Sequence, residues 1–245
     1  MNTSPTVSVD SPVDHRQAFT LIESLTTVAI ISILAIVLIP TVEIVRESTQ
    51  NATCLANLRQ IGMLMSLYAN DNSGRLPPSY NLTLENYHSW PYAVMQSAGY
   101  TVTGIDTLDP KCSYRDQAKT VFKCPTLLKL RPASWLTYSM NHAAASDTSG
   151  NNFREGLRIS SVANPARQIV VTDGAKTSSF FSSTLDNIAY IGTFHRTSNS
   201  STTGGYQIAN GQAHILCLDG HVGLITREEI TRNTHDYIFN PALNK

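Results

Sequence analysis

The sequence predicts an α+β protein in which a long N-terminal helix packs on a small antiparallel β-sheet. Three observations support this fold class: an apolar run at residues 19–39, apolar residues at helical spacing from 54 to 68, and short β-rich runs after residue 135. In chain order we expect a leader at 1–18, a membrane-spanning helix at 19–39, its amphipathic continuation at 40–74, and one globular α+β domain at 75–245.

The apolar segment at residues 19–39 is long enough to cross a membrane, and Glu23 is its only formally charged residue. At about 1.5 Å per residue, a helix of this segment is roughly 31 Å long, which matches the hydrocarbon core of a bilayer. A charged side chain in such a segment costs about 2.5–3.5 kcal/mol on insertion scales. The presence of Glu23 therefore predicts a function for an acid at this position.

Two simpler interpretations of the N-terminus have to be weighed. A secretory signal peptide has a positively charged start, a shorter apolar core and a small residue after that core. Here the leader carries Asp10 and Asp14 against Arg16, and the small residue Ala18 precedes the apolar run. This order argues against a signal peptide. A plain membrane anchor explains the apolar length and leaves Glu23 without a role.

The run Gln17-Ala18-Phe19-Thr20-Leu21-Ile22-Glu23 and the apolar segment after it resemble the N-terminus of type IV prepilins and type II secretion pseudopilins. The resemblance implies that prepilin peptidase cuts between Ala18 and Phe19 and that Phe19 is then N-methylated. It also implies an assembly role for Glu23, at the family's conserved acidic position, and for Pro40, which matches a proline that kinks or loosens the helix in that family. Ala18 stands where the family usually has glycine.

A physical role for Glu23 follows from cleavage before Phe19. The new α-amino group lies about one helical turn from the carboxylate, and the amine of a neighbouring subunit can pair with that carboxylate. Pairing in a low dielectric offsets the desolvation of both charges, whereas a subunit packed out of register leaves the acid unpaired. Glu23 is therefore predicted to set the register of subunits in a filament.

Beyond the apolar segment, Pro40 removes a backbone donor, so we expect the helix to bend or melt near Leu38 and Ile39. The helix is then predicted to lie on the globular domain through an apolar stripe with steps of four and three residues: Cys54, Leu58, Ile61, Met65 and Tyr68. It should stop at the Asn-Ser-Gly segment 72–74, where Gly74 serves as the cap and the prolines at 77–78 prevent continuation.

The globular domain is predicted to contain a small antiparallel sheet. We place strands near Leu136 to Met140, Gln168 to Thr172, Ala189 to Phe194, Ala213 to Leu218 and His221 to Thr226. The Asp-Gly pair at 219–220 predicts a hairpin with a two-residue turn, in which His214 pairs with Ile225. Segments 141–165 and 197–211 are rich in Asn, Ser, Thr and Gly, which predicts loops.

This hairpin carries a second resemblance. The run Leu216-Cys217-Leu218-Asp219-Gly220-His221-Val222, with His195-Arg196 upstream, resembles the C-terminal Asp-Gly-His segment of pilin-like proteins with large C-terminal domains. Residues 54–62 and 122–125 are similar to the same group. The spacer between His195 and Asp219 is longer than in that group, which an insertion at 198–211 would explain.

Asp173 and Asp219 are each followed by glycine, and two interpretations stay open. They can be turn residues chosen for backbone geometry, or they can supply oxygen ligands to Ca²⁺, which some pseudopilins hold in a C-terminal loop. His214 and His221 lie about 13 Å apart along the predicted hairpin, so they cannot share one ion. No other metal or cofactor is predicted.

Whether the cysteines form disulfides depends on the cellular compartment. Everything after the membrane span is predicted to lie outside the cytoplasm, where disulfides persist. Cys112 and Cys124 flank a short polar segment and are predicted to pair, and closing this loop contributes roughly 2–3 kcal/mol in the chain-entropy model. Cys54 and Cys217 lie on apolar faces and are predicted to be small core residues, with a bridge between them as the alternative.

The sequence argues against an enzyme and against a nucleic-acid-binding protein. It contains no Gly-x-Ser-x-Gly elbow, phosphate-binding glycine loop or His-Glu-x-x-His helix. Its 18 basic residues balance 18 acidic ones and form no long runs. An electrostatic footprint for nucleic acid is therefore missing.

The resemblance implies a filament subunit that crosses the inner membrane once, with its N-terminus in the cytoplasm and its C-terminal domain in the periplasm or in an extracytoplasmic filament. Its expected partners are prepilin peptidase, other pilin or pseudopilin subunits and the inner-membrane assembly platform. A type II secretion pseudopilin that supports protein export is the first hypothesis. The alternatives are a type IV pilus subunit for adhesion or motility and a membrane-tethered binding domain that never polymerises.

Overall fold

The computed structural model describes residues 20–83, 86–100, 121–130, 136–141, 156–174, 180–181, 191–195 and 211–232. Ala18 and Phe19, which flank the predicted cleavage bond, lie outside the described residues, as does Cys112. The chain divides into two compact units, an N-terminal unit at Met1–Arg46 and a globular unit at Glu47–Lys245.

Helix α1 runs from Leu21 to Asp71. The apolar stripe predicted for its second half is confirmed, because Cys54, Leu58 and Ile61 are fully buried in the globular unit and Met65 is 3% exposed. The neighbouring Arg59 and Gln60 are exposed, as expected for the opposite side of an amphipathic helix.

The backbone of α1 stays helical at residues 38–41, so the melted turn expected at Pro40 is not observed there. Pro40 has no N–H to donate. Within the same turn the Thr41 hydroxyl donates a hydrogen bond of 2.7 Å to the carbonyl of Leu38. This side-chain bond adds a contact in the turn from which the proline removes one.

The C-terminal end of α1 is a Schellman motif. The N–H of Gly74 donates to the carbonyl of Ala69 at 2.8 Å. Ser73 and Gly74 both have positive φ angles, 55° and 74°. The predicted stop is confirmed, but Ser73 rather than glycine takes the first left-handed position, and Gly74 follows it.

Seven strands form two sheets in the described residues. Their bounds are β1 Tyr80–Thr83, β2 Asn86–Ser89, β3 Tyr138–Asn141, β4 Ile169–Asp173, β5 Phe180–Phe181, β6 Gln212–Cys217 and β7 Val222–Thr226. Strands β1 and β2 pair with each other, and the larger sheet has the order β5-β3-β4-β6-β7. Within it β3, β4, β6 and β7 are antiparallel neighbours, and β5 joins the edge in parallel. A long helix with a small antiparallel sheet is the predicted α+β arrangement.

Short helices that were not predicted from the sequence complete the globular unit. They are α2 Trp90–Ser97, α3 Pro125–Leu130, α4 Arg227–Arg232, and two 3₁₀ helices at Ile159–Ser161 and Pro165–Arg167. Of the strand expected at Ala189 to Phe194, residues 191–194 are described. Ile191 forms an isolated antiparallel bridge with Gly174 instead of belonging to a named strand.

The two faces of the larger sheet bury separate apolar clusters. The main cluster lies on the α1 side and includes Leu58 of α1, Trp90 of α2, Tyr138 of β3 and Leu216 of β6. Gly62 allows α1 to approach β6 closely, since a Cβ at this position would lie 3.0 Å from a methyl carbon of Leu216. The smaller cluster comprises Ile169, Ile191, Ala213, Cys217, Ile225 and Ile230 of α4.

The β6–β7 hairpin forms as expected, but its turn has three residues instead of two. The Cys217 N–H donates to the His221 carbonyl and the Gly220 N–H donates to the Cys217 carbonyl, both at 2.9 Å. Gly220 has a φ of 91°, which fits a type I turn followed by a left-handed glycine. His214 consequently pairs with Leu224 and not with Ile225. The two-residue turn was wrong because Asp-Gly suits both turn types.

Cys124 forms a disulfide with Cys54, with a Cα–Cα distance of 5.1 Å. The predicted pairing of Cys124 with Cys112 was therefore wrong: it relied on closeness in sequence, whereas the buried face of α1 carries Cys54 to a residue 70 positions away. The Asn57 side-chain amide, almost one turn further along α1, donates to the Lys123 carbonyl at 3.0 Å and holds the same segment.

Cys217 is a free, buried cysteine, as its interpretation as a core residue predicted. Burial, together with the nearby charge of Asp219, raises the pKa of its thiol to about 12. At neutral pH the thiol is therefore protonated and a poor nucleophile.

We expect Cys54→Ser to destabilise the protein, because a bridge over 70 residues contributes about 4 kcal/mol in the chain-entropy model. Thermal unfolding should show the loss, and Cys112→Ser is the matched control that should leave Tm unchanged. Peptide mapping without reductant should recover Cys54 linked to Cys124. A linked pair of Cys112 and Cys124 would contradict the structure.

A second expectation concerns Gly156, which lies where two backbone segments meet. The N–H of Leu76 donates to the Leu157 carbonyl at 2.9 Å. A Cβ on Gly156 would lie 1.7 Å from the carbonyl oxygen of Leu76. Gly156→Ala should therefore cost about 3 kcal/mol or more, because backbone atoms cannot move aside as a side chain can.

The control for this change is Gly223→Ala in β7. Its Cβ would meet Ile215 at an ordinary 3.7 Å. Chemical denaturation of both variants should give a large loss of unfolding free energy for the first and a change within about 1 kcal/mol for the second. Equal stabilities would show that residues 76 and 156 are not in contact.

Candidate functional site

The start of α1 is fixed by a reciprocal pair of hydrogen bonds between Thr20 and Glu23. The Thr20 N–H and hydroxyl both donate to Glu23 Oε2 at 2.8 Å. In return the Glu23 N–H donates to Thr20 Oγ1 at 3.3 Å. This is a capping box, in which a Thr and a Glu three residues later satisfy backbone donors that the helix cannot pair internally.

Thr-x-x-Glu before an apolar run is the usual sequence signal of such a box, although the box was not among the predicted features. The same box recurs at the start of α4, where Thr226 N–H and hydroxyl donate to Glu229 Oε2 at 2.8 Å. Hydrogen bonds from Thr226 lower the pKa of the Glu229 carboxyl. Both boxes lie downstream of the predicted cleavage bond, so removal of the leader leaves them in the chain.

The apolar side chains of the N-terminal unit are exposed. From Leu21 to Val45 the large apolar residues have exposed fractions between 54% and 83%. Helix α1 is long and apolar enough near its N-terminus to cross a membrane. Such a surface has to be covered by lipid or by other protein, because water does not stabilise it. The helix fits a single-pass membrane anchor.

A buried polar cluster, which we call the Asp-His-His cluster, lies in the globular unit on the α1 side of the sheet. It consists of Asp173 at the end of β4, His195, and His214 on β6, with exposed fractions of 0%, 1% and 1%. Asp173 Oδ2 lies 3.2 Å from His195 Nε2 and 3.1 Å from His214 Nδ1. It also accepts the backbone N–H of His214 at 2.6 Å.

Two neighbours complete the surroundings of His195. Its Nδ1 lies 2.7 Å from Oδ1 of Asn51 on α1. Its Nε2 lies 3.5 Å from Sγ of Cys124, one half of the disulfide. The cluster therefore touches α1, β4, β6 and the segment before α3 at one point.

The charges of the cluster shift the pKa values of Asp173 and Tyr138 in opposite directions. Burial alone would raise the pKa of Asp173, but His195 and His214 hold it well below its usual range. Burial raises the pKa of Tyr138 well above normal, and the charge of Asp173 adds to this. The cluster therefore holds an ionised carboxylate in the protein interior.

The structure separates the two predicted aspartates. Asp173 is not a turn residue, because the alternation of β4 points its side chain to the buried α1 side, as Val171 does. Asp219 lies in the hairpin turn, where its Oδ1 accepts the His221 N–H at 3.1 Å and contacts His221 Nδ1 at 2.7 Å. That pair is half exposed, and hydrogen bonds from His221 outweigh partial burial and lower the pKa of Asp219.

Three of the segments named in the second resemblance meet in space. Cys54 is bonded to Cys124, and Cys124 contacts His195. The fourth segment, Asp-Gly-His at 219–221, does not join them but forms the turn of the β6–β7 hairpin. The sequence singled out the three residues of the cluster separately: Asp173 as a turn or calcium residue, His195 by the resemblance, and His214 as a histidine too far from His221 to share an ion with it. No local pattern placed them together, because they lie on segments far apart in the chain.

Comparison with known proteins identifies the N-terminal segment. No curated protein and no solved structure matches the chain. Residues 14–39 match the prokaryotic N-terminal methylation motif. The match spans the predicted cleavage bond, the capping box with Glu23, and the exposed apolar run up to the residue before Pro40. The chain therefore begins with the N-terminal methylation motif that is typical of type IV prepilins and pseudopilins.

Proposed function

We propose that the chain is a pilin-type filament subunit that prepilin peptidase cuts between Ala18 and Phe19, with N-methylation of Phe19. The observation that carries the proposal is the methylation motif at residues 14–39 followed by an exposed apolar helix with one acid near its start. Within this class we propose a pseudopilin of a type II secretion system, assembled from the inner membrane to support protein export.

The exposed apolar surface supports assembly. Its residues would face lipid before assembly and other subunits afterwards, so the same surface serves as anchor and as filament core. It continues past Pro40 to Val42, Ile44 and Val45, where Glu43 and Arg46 are interspersed. These charges lie beyond residue 39, where the predicted membrane span ends, so lipid alone would not cover the apolar residues among them. Packing against neighbouring subunits accommodates both the apolar and the charged residues.

Glu23 supports a charge-specific contact in that filament. The capping box uses its Oε2, and in the proposal the α-amine of a neighbouring Phe19 binds the same carboxylate. An ion pair shielded from water offsets the desolvation of both groups. In the proposed orientation the leader lies in the cytoplasm, and the globular unit lies in the periplasm or in an extracytoplasmic filament.

The N-terminus of the mature protein tests the processing step. We expect intact mass and N-terminal sequencing of the protein from native envelopes to give a chain that starts at N-methylated Phe19. A strain without prepilin peptidase should retain residues 1–18. An intact leader in the wild-type strain, or a cut after the apolar run, would overturn the proposal and favour a tethered or secreted domain.

Three variants separate the cap from the charge of Glu23. Glu23→Gln keeps a side-chain acceptor for the capping box but removes the charge, and Thr20→Ala breaks the box but keeps the acid. We expect Glu23→Gln and Glu23→Ala to be inserted and processed but lost from sheared filaments or cross-linked assemblies by tenfold or more. Thr20→Ala should be incorporated.

The matched control is Glu229→Gln, which makes the same chemical change in the capping box of α4 and should leave incorporation unchanged. Incorporation of Glu23→Gln at the wild-type level would show that capping alone explains the acid. A deletion strain distinguishes a secretion pseudopilus from a surface pilus. Loss of secreted enzymes supports the pseudopilus, whereas loss of surface fibres with normal secretion would favour a type IV pilus subunit.

A further inference from the structure

We propose that Asp173, His195 and His214 bind one divalent transition-metal ion of the zinc type inside the globular unit. The inference goes beyond filament assembly and does not depend on it. Two imidazole nitrogens and a carboxylate are a common donor set for such ions. Here they come from two strands and a separate segment, and all three side chains are buried.

The distances between the donor atoms suit a small ion. Ligands about 2.0–2.1 Å from a tetrahedral zinc lie about 3.3 Å from one another. Asp173 Oδ2 lies 3.2 Å from His195 Nε2 and 3.1 Å from His214 Nδ1. All three donor atoms lie within 4.8 Å of one another. Small movements of side chains are therefore enough to place them around one ion.

The hydrogen bond of Asn51 prepares His195 as a ligand. Oδ1 of Asn51 can only accept, so the contact of 2.7 Å assigns the ring proton to Nδ1 of His195. In the neutral ring Nε2 then carries a lone pair, and it faces a carboxylate oxygen at 3.2 Å. Two such lone pairs repel unless a positive charge lies between them. Metal-bound histidines commonly donate their other nitrogen to an oxygen in this way.

One carboxylate oxygen of Asp173, Oδ1, is free to act as a metal ligand. Oδ2 accepts the His214 N–H and contacts both imidazoles, whereas Oδ1 is buried and has no hydrogen-bond partner among the described residues. A bare carboxylate oxygen in the interior is costly. Binding of both carboxylate oxygens to the ion would satisfy Oδ1 and give four protein donors.

The charge balance also calls for a cation. The described residues include no buried Lys or Arg. Asn51, Tyr138 and the disulfide are neutral, so among the described residues only the two histidines can supply positive charge to the carboxylate of Asp173. A metal ion supplies that charge while leaving both imidazoles in the neutral form that binds metals.

The donor set also selects among metals. Ca²⁺ takes six to eight oxygen ligands, so two imidazoles do not suit it. Cys124 lies close to His195, but its sulfur is bonded to Cys54 and is not a thiolate, the form that binds metals. Asp219 is engaged with His221 in the hairpin turn. The site therefore comprises one carboxylate and two imidazoles, and an ion there would hold β4, β6 and residue 195 together.

Metal binding is tested with the full-length chain purified in detergent without reductant. After treatment with EDTA, the chain is exposed to Zn²⁺ and dialysed, and its metal content and Tm are measured. We expect about one zinc per chain and a rise in Tm of roughly 5–10 °C at a hundredfold excess over Kd. Co²⁺ in place of Zn²⁺ should give the visible absorption of a tetrahedral site.

Variants assign the zinc to the cluster. Asp173→Asn and His214→Gln remove one donor each and should lose the bound metal and the zinc-dependent rise in Tm. The matched control is His221→Gln, which alters the exposed Asp–His pair and should retain both. If the wild-type chain binds no zinc and has equal Tm in Zn²⁺ and in EDTA, the proposal is overturned. A proton shared with the histidines would then be the charge that balances the carboxylate of Asp173. Zinc retained by Asp173→Asn and His214→Gln would overturn the proposal as well.

Discussion

The buried face of α1 determines where the other segments of the globular unit lie. Cys54, Leu58 and Ile61 are fully buried on it, and burying each large apolar side chain contributes about 1.5–3 kcal/mol. The same face holds the segment before α3 covalently through Cys124 and by the Asn57 hydrogen bond. Because Asn51 reaches His195 from the same helix, the Asp-His-His cluster depends on this packing as well.

Local signals predicted the parts of the fold that local physics determines. The stripe from Cys54 to Met65 is a property of one helix, and the stop at residues 72–74 is a property of one turn, so both could be read from the sequence. The β6–β7 hairpin shows what such local signals do not determine, namely the length of the turn. Asp-Gly fits a two-residue turn and also the last two positions of a three-residue turn, and sequence does not distinguish them. A shift of one residue moves side chains to the opposite face of the pairing.

Long-range pairings could not be predicted in the same way. Cys112 is nearer to Cys124 in sequence, but Cys54 is the residue that the helix brings to it. Asp173 suggested a turn because glycine follows it, yet its position in β4, two residues after Val171, buries it. His214 shares a face with Leu216, so its place in an apolar strand was a signal of burial that could have been used. His195 offered no comparable signal, since its partners come from four other segments.

The two capping boxes show why capping does not by itself account for Glu23. Thr226–Glu229 and Thr20–Glu23 have matching hydrogen bonds, and each satisfies the start of its helix. In α4 the acid is exposed to water, where a negative charge near a helix N-terminus is cheap and favourable. At α1 it is the only charge at the start of an apolar run, where glutamine would cap the helix without the cost of desolvating a charge. The cap explains the hydrogen bonds of Glu23, and in our proposal its charge pairs with the α-amine of a neighbouring subunit.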